Sequence, residues 1–152
     1  MNVDRGPLRE LLSFSVAGDV YAVDLTSVRE ILAPPPITTV PRAPRSVLGV
    51  CSVRGLLITV VDLRRRLDLP TIGLSKRTRL LLTTGPQHEV FGVVVDEVRQ
   101  VIRLAEGQLE MATTVLGGDV SEFVIGIGRP AQDSVVILLD LGAIVSNLKE
   151  SA

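Results

Sequence analysis

Short runs of apolar, largely β-branched residues alternate with tight polar punctuation along most of this chain. Leu11–Val16 and Val20–Leu25 flank Ala17-Gly18-Asp19 and predict a hairpin. Leu48–Val53 and Leu56–Val61 flank Arg54-Gly55, where Gly55 can supply the positive φ of a tight turn. Leu80–Thr84 and Val90–Val95 lie either side of a turn at Gly85–His88. Phe123–Gly128 and Ser134–Leu139 do the same around Arg129–Asp133. Helical pattern is confined to short pieces. Asp62 stands where it can cap a helix over Leu63–Leu67. Asp140 stands likewise before Leu141–Leu148, with Lys149 near the C-terminal end that the helix dipole favours for a cation. Thr26–Leu32 spaces Val28, Ile31 and Leu32 as one face of either a helical turn or a bent strand, and the period is too short to choose. Pro34-Pro35-Pro36, then Pro41 and Pro44, hold the next stretch extended. Leu69–Thr78 reads as a linker and Leu104–Ser121 as a looser stretch.

The pattern occurs twice. Residues 11–32 recur without a gap as residues 81–102, with Leu11/Leu81, Leu12/Leu82, Val20/Val90, Val23/Val93, Val28/Val98 and Arg29/Arg99 identical. Leu48-Gly49-Val50 is echoed by Ile125-Gly126-Ile127, and Val60-Val61-Asp62-Leu63 by Leu138-Leu139-Asp140-Leu141. Two copies are too few for a solenoid. They predict two small lobes about a pseudo-twofold, one over about residues 11–68 and one over about 79–140, with a C-terminal helix over about 141–149. Each copy offers four or five short strands and one short helix, which suggests a mainly β fold of small barrels within a single domain spanning 1–152.

Composition narrows the classes. The mean hydropathy of +0.40 is high for a soluble chain, yet the richest runs are broken by Arg54, Asp62 and Asp140 before they reach the ~18 residues a membrane helix needs. The charged start, MNVDRGPLRE, lacks the apolar stretch of a signal peptide. A cytoplasmic protein without membrane insertion is expected, its apolar excess divided between core and partner surface. A net charge of −1 gives no pull toward nucleic acid.

Candidate chemistry is thin. The single histidine, His88, falls in a turn, and the single cysteine, Cys51, falls mid-strand in an apolar run, so no activated nucleophile is evident. Gly117 and Gly118 lack the strand-GxGxxG-helix context of a dinucleotide site. No enzyme activity, cofactor or metal is expected. Arg64-Arg65-Arg66, with Arg42, Arg45, Arg77 and Arg79, reads either as a solvated helix face or as a phosphate-binding patch. Flanking Asp62 and Asp68 and the scarcity of aromatics favour the first. Arg54 is more informative. At a hairpin tip between two apolar strands it is either a solubilising turn residue or a rigidly presented guanidinium for a partner. Some of Leu25, Val28 and Ile31 are expected to face the groove between lobes.

Taken in order, these segments resemble the CheW family of bacterial chemosensory adaptors over about residues 10–148. Tyr21-Ala22-Val23-Asp24 with Val28-Arg29-Glu30-Ile31 is similar to the family's first landmark. Pro44, Leu48-Gly49-Val50, Val53-Arg54-Gly55 and Val60-Val61-Asp62-Leu63-Arg64 resemble its central block, and Phe91–Val98, Ile125–Gly128 and Val136–Leu141 its second half. The resemblance implies two SH3-like five-stranded β-barrels in pseudo-twofold contact. It implies a non-catalytic adaptor that binds the regulatory domain of a CheA-type histidine kinase and the cytoplasmic tip of chemoreceptors, recruited to membrane-associated arrays. On this resemblance Leu25, Val28, Glu30, Gly49 and Arg54 are the partner-contacting positions. Ser52, Val53 and Thr59 depart from the family's Asn, Leu and Pro, and the Pro34–Pro36 run is unusual. These departures would also suit a scaffold that holds receptors without engaging a kinase.

Overall fold

The computed structural model describes residues 8–112 and 122–148. Among these described residues eleven strands carry the fold: β1 (Arg9–Val16), β2 (Asp19–Asp24), β3 (Glu30–Leu32), β4 (Val47–Val53), β5 (Leu56–Asp62), β6 (Arg79–Thr84), β7 (Val90–Val95), β8 (Glu97–Leu104), β9 (Leu109–Met111), β10 (Val124–Gly128) and β11 (Val136–Leu139). Two one-turn helices, α1 (Leu63–Arg66) and α2 (Leu141–Ile144), follow β5 and β11. Their expected caps are present: Asp62 accepts the Arg64 N–H at 3.1 Å and Asp140 accepts the Ala143 N–H at 3.1 Å. The last helix is shorter than expected, because Val145 ends it and Asn147 turns the chain through a left-handed φ of +53°. Lys149, Gly117 and Gly118 lie outside the described residues.

The strands form two sheets. The larger runs β8-β1-β2-β11-β10-β9 and the smaller β3-β6-β7-β5-β4. Strand pairing crosses the lobe bounds expected at about 11–68 and 79–140. β8 of the second copy pairs with β1, while β3 of the first copy pairs with β6. Each sheet is therefore assembled from both copies. One sheet also has six strands where five were expected, since residues 109–111, read as part of a loose stretch, pair with β10 as β9. The pseudo-twofold is visible in the parallel ladders: Ile137↔Tyr21 and Leu138↔Ala22 in one sheet match Thr59↔Phe91 and Val60↔Gly92 in the other. Among the described residues neither sheet closes by a full ladder between its edges. The chain itself bends round instead, with β8 continuing into β9, and Thr38 beyond β3 bridging Val50 of β4.

This curling explains the apolar excess. Strands buried on both faces send alternate side chains into different cores. Leu80, Leu82 and Val94 point into the smaller sheet's own core with Cys51, Ile58 and Val60. Leu11, Ala22, Leu104, Val136 and Leu138 fill that of the larger sheet. The intervening side chains, among them Phe14, Val61, Leu81, Val93 and Leu139, meet in one core shared by both sheets.

Candidate functional site

The end of the smaller sheet is built from the β4–β5 hairpin and from β3. Val53 pairs with Leu56, leaving a two-residue turn in which Arg54 (φ +50°) and Gly55 (φ +81°) are both left-handed. That is a type I′ turn, whose twist matches that of the strands. Arg54 carries the strain of this conformation where glycine would not. Its guanidinium reaches Glu30 at the start of β3 through two contacts, one of them Nη1 to Oε2 at 3.1 Å. Because β3 and β4 are opposite edges of this sheet, the pair clasps edge to edge across its mouth.

The clasp is exposed: the Arg54 side chain retains 69 % of its accessible surface and Glu30 37 %. Hydrogen bonding from Arg54 holds the Glu30 carboxyl below its ordinary pKa, with the charges of Arg54 and Arg29 adding to the effect. Leu56, directly after the turn, is 53 % exposed, and Leu57 beside it 69 %. A fork of donors, an acceptor and exposed leucines thus converge at one rigid tip, which can hydrogen-bond a partner's polar groups while burying its apolar ones. The two leucines were not singled out from sequence. Their signal was an apolar pair immediately after a polar turn.

The five expected positions do not form one cluster. Glu30 and Arg54 are in contact. Leu25, in the 3-10 turn Leu25–Ser27, and Val28, just after it, are half-buried against the core shared by the sheets, as is Val98, the repeat-mate of Val28. Gly49 is buried in β4, where a Cβ would collide with the Thr38 carbonyl oxygen that crosses it. Its absent side chain serves that crossing.

The arginine run is neither a solvated face nor a phosphate patch. Arg64 forks onto Asp96 (Nε–Oδ1 3.0 Å, Nη2–Oδ2 2.6 Å), and Asp96 also accepts the Ala17 N–H at 2.9 Å. Arg66 is buried, donates through Nε to the Ile144 carbonyl at 2.8 Å, and stacks 4.5 Å from the Phe123 ring centre. These arginines tie α1 to the β1–β2 turn and to α2, so they hold one sheet against the other. Cys51 is buried, which pushes its thiol pKa up, and His88 is exposed in a turn with φ +67°. Among the described residues no three His, Cys, Asp or Glu side chains gather as a metal site would require.

Comparison with known proteins agrees with this architecture. The family model described as a CheW-like domain matches residues 10–149. The chemotaxis protein CheW of Bacillus subtilis is 30 % identical over 143 residues, covering 94 % of this chain and 89 % of its own length. CheW of Thermotoga maritima is 28 % identical over 141 residues, covering 91 % and 89 %. The crystal structure of the scaffolding protein TtCheW from Thermoanaerobacter tengcongensis superposes with a TM-score of 0.81 at 26 % identity, covering 96 % of this chain and 98 % of that one. A family model that matches residues 10–149, and relatives in sequence and in fold that span nearly the whole chain, place this chain in the family of CheW-like domains.

Proposed function

We propose that this protein is a non-catalytic adaptor that joins chemoreceptors to a CheA-type histidine kinase in a bacterial chemosensory array. The observation that carries this reading is the exposed Glu30–Arg54 clasp beside Leu56 on a fold built to present it. Apolar burial supplies most of the affinity and the charged pair sets register. Leu25 and Val28, at the junction of the sheets, offer apolar surface to the receptor's cytoplasmic tip. Glu30 and Arg54 face the kinase's regulatory domain, and Gly49 acts indirectly by shaping β4. Such an adaptor transmits a receptor state only by binding kinase-on and kinase-off arrays with different affinity. Among the described residues no helix is long and apolar enough to cross a membrane. A cytoplasmic protein recruited to receptor arrays fits the reading.

Calorimetric titration into the regulatory domain of a CheA-type kinase from the same genome tests it. Saturable binding with Kd on the order of micromolar is expected, weakened about tenfold or more in Arg54→Ala. Binding to the receptor tip without binding to the kinase transfers the protein to a receptor-holding scaffold. Binding to neither overturns the proposal.

A further inference from the structure

Six positions are identical between residues 11–32 and 81–102, and five of them are apolar. Leu11, Leu12 and Val23 are buried with their repeat-mates, and Val20 and Val28 are half-buried with theirs, so the packing of two like units accounts for these five. The sixth is Arg29/Arg99. Both arginines are exposed, so no core requirement explains this identity.

Pairing within the molecule does not explain it either. Eight of the described arginines lie within 4.0 Å of a carboxylate. Arg66 and Arg79 donate to backbone carbonyls. The Arg29 side chain makes one hydrogen bond among the described residues, from Nη1 to Thr84 Oγ1 at 3.3 Å. Its charge reaches Glu30, which Arg54 already holds. Among the described residues the Arg99 side chain makes no hydrogen bond or ion pair. Arg99 is the extra residue of a bulge: Phe14 pairs with Val98 and Ser13 with Gln100, which leaves Arg99 without a partner across β1. A bulge gives up ladder pairing and re-aims a side chain.

Each arginine keeps the same company. Arg29 follows the half-buried Val28 and stands two residues before the exposed Ile31; Arg99 follows the half-buried Val98 and stands two residues before the exposed Val101. Both Val28 and Val98 pack against the core shared by the sheets. One set leads into β3 of the smaller sheet and the other lies on β8 of the larger. A guanidinium with no carboxylate of its own, beside apolar surface, is stabilised most when a partner supplies the carboxylate and excludes water from the pair.

We propose that Arg29 and Arg99 are a matched pair of recognition residues that take carboxylates flanking an apolar stripe on the cytoplasmic tip of the chemoreceptor. The proposal rests on the adaptor reading and adds to it the charge that the receptor presents. Cations on both sheets fix the register of the stripe, because sliding it separates one ion pair or both. Calorimetric titration of the full chain with the cytoplasmic fragment of a chemoreceptor from the same genome tests this. Arg29→Gln and Arg99→Gln should each weaken binding about threefold or more, and the double variant about tenfold or more. Arg99→Lys keeps the charge and should bind more tightly than Arg99→Gln, which separates the charge from the bulge. Arg42→Gln removes an exposed cation elsewhere and should bind as the parent does. High salt should weaken the parent more than the double variant. Arg99 lies on the other sheet from the Glu30–Arg54 clasp, so Arg99→Gln should leave binding to the kinase's regulatory domain unchanged. A double variant that binds the fragment as the parent does overturns the pair and leaves the adaptor reading standing. So does an equal loss in Arg42→Gln, or an Arg99→Lys variant as weak as Arg99→Gln. A parent chain that does not bind the fragment overturns the pair together with the receptor contact of the adaptor reading.

Discussion

Arg54 stands at a left-handed turn position, and this allows its contributions to fold and to binding to be separated. Arg54→Gly relieves the backbone strain, so stability should hold or rise by up to about 1 kcal/mol in urea titration. The surface ion pair it removes contributes little in water. Partner affinity should fall as it does for Arg54→Ala. A glycine variant that binds as the parent does would show the turn, not the guanidinium, to be the recognised feature. Gly49 predicts the reverse. Gly49→Ala drives a Cβ into the Thr38 carbonyl and should cost about 1–3 kcal/mol, while Gly107→Ala, which meets nothing within 4 Å, should stay within about 0.5 kcal/mol. Arg54 was legible as a candidate because a hairpin tip displays its residues whatever lies around it. That Glu30 is its partner was not legible, because the contact joins the two edges of a sheet whose pairing order the local pattern does not contain.

At the scale of elements, the connection between α1 and the β1–β2 turn decides how the sheets sit together. Burial by itself would raise the Asp96 pKa, but hydrogen bonds from Arg64 and from the Ala17 N–H outweigh it and hold the carboxyl below its ordinary value. A carboxylate with a lower pKa folded than unfolded adds stability above the unfolded value, near 4, and loses it as pH falls through the folded value. Asp62 has the opposite sign: burial raises its pKa, so its protonation favours the fold. Asp96→Asn should therefore cost about 1–3 kcal/mol at pH 7. It should also lessen the loss of stability as pH falls below the ordinary carboxylate value of about 4, measured as the urea midpoint against pH. An unchanged acid limb would place the sensitivity elsewhere. The hairpins and helix caps were readable because turns and caps are local. The role of Arg64–Arg66 was not, since three consecutive arginines look solvated until the elements that face them are known.

For the molecule as a whole, the two copies do not fold side by side. The β1–β2 and β6–β7 hairpins are exchanged between them, β1 and β2 lying in the sheet of β8–β11 and β6 and β7 in that of β3–β5, so neither copy alone holds a complete sheet. Fragments 1–70 and 71–152 should each lack the sheet signature in far-ultraviolet circular dichroism and regain it when mixed. Independent folding of either fragment would contradict the reciprocal pairing. The strand runs, the turn residues, the capping aspartates and the presence of two equivalent halves are determined by the sequence alone, because each depends on neighbours a few residues apart or on likeness between distant segments. Which strands pair was decided only by tertiary structure. β3 is three residues long, and β8 follows β7 with Asp96 alone between them, so local pattern leaves their partners open. The exchange lets each sheet curl round its own core while both share a third. The same closure brings Glu30 to Arg54, a contact that exists only once distant edges have met.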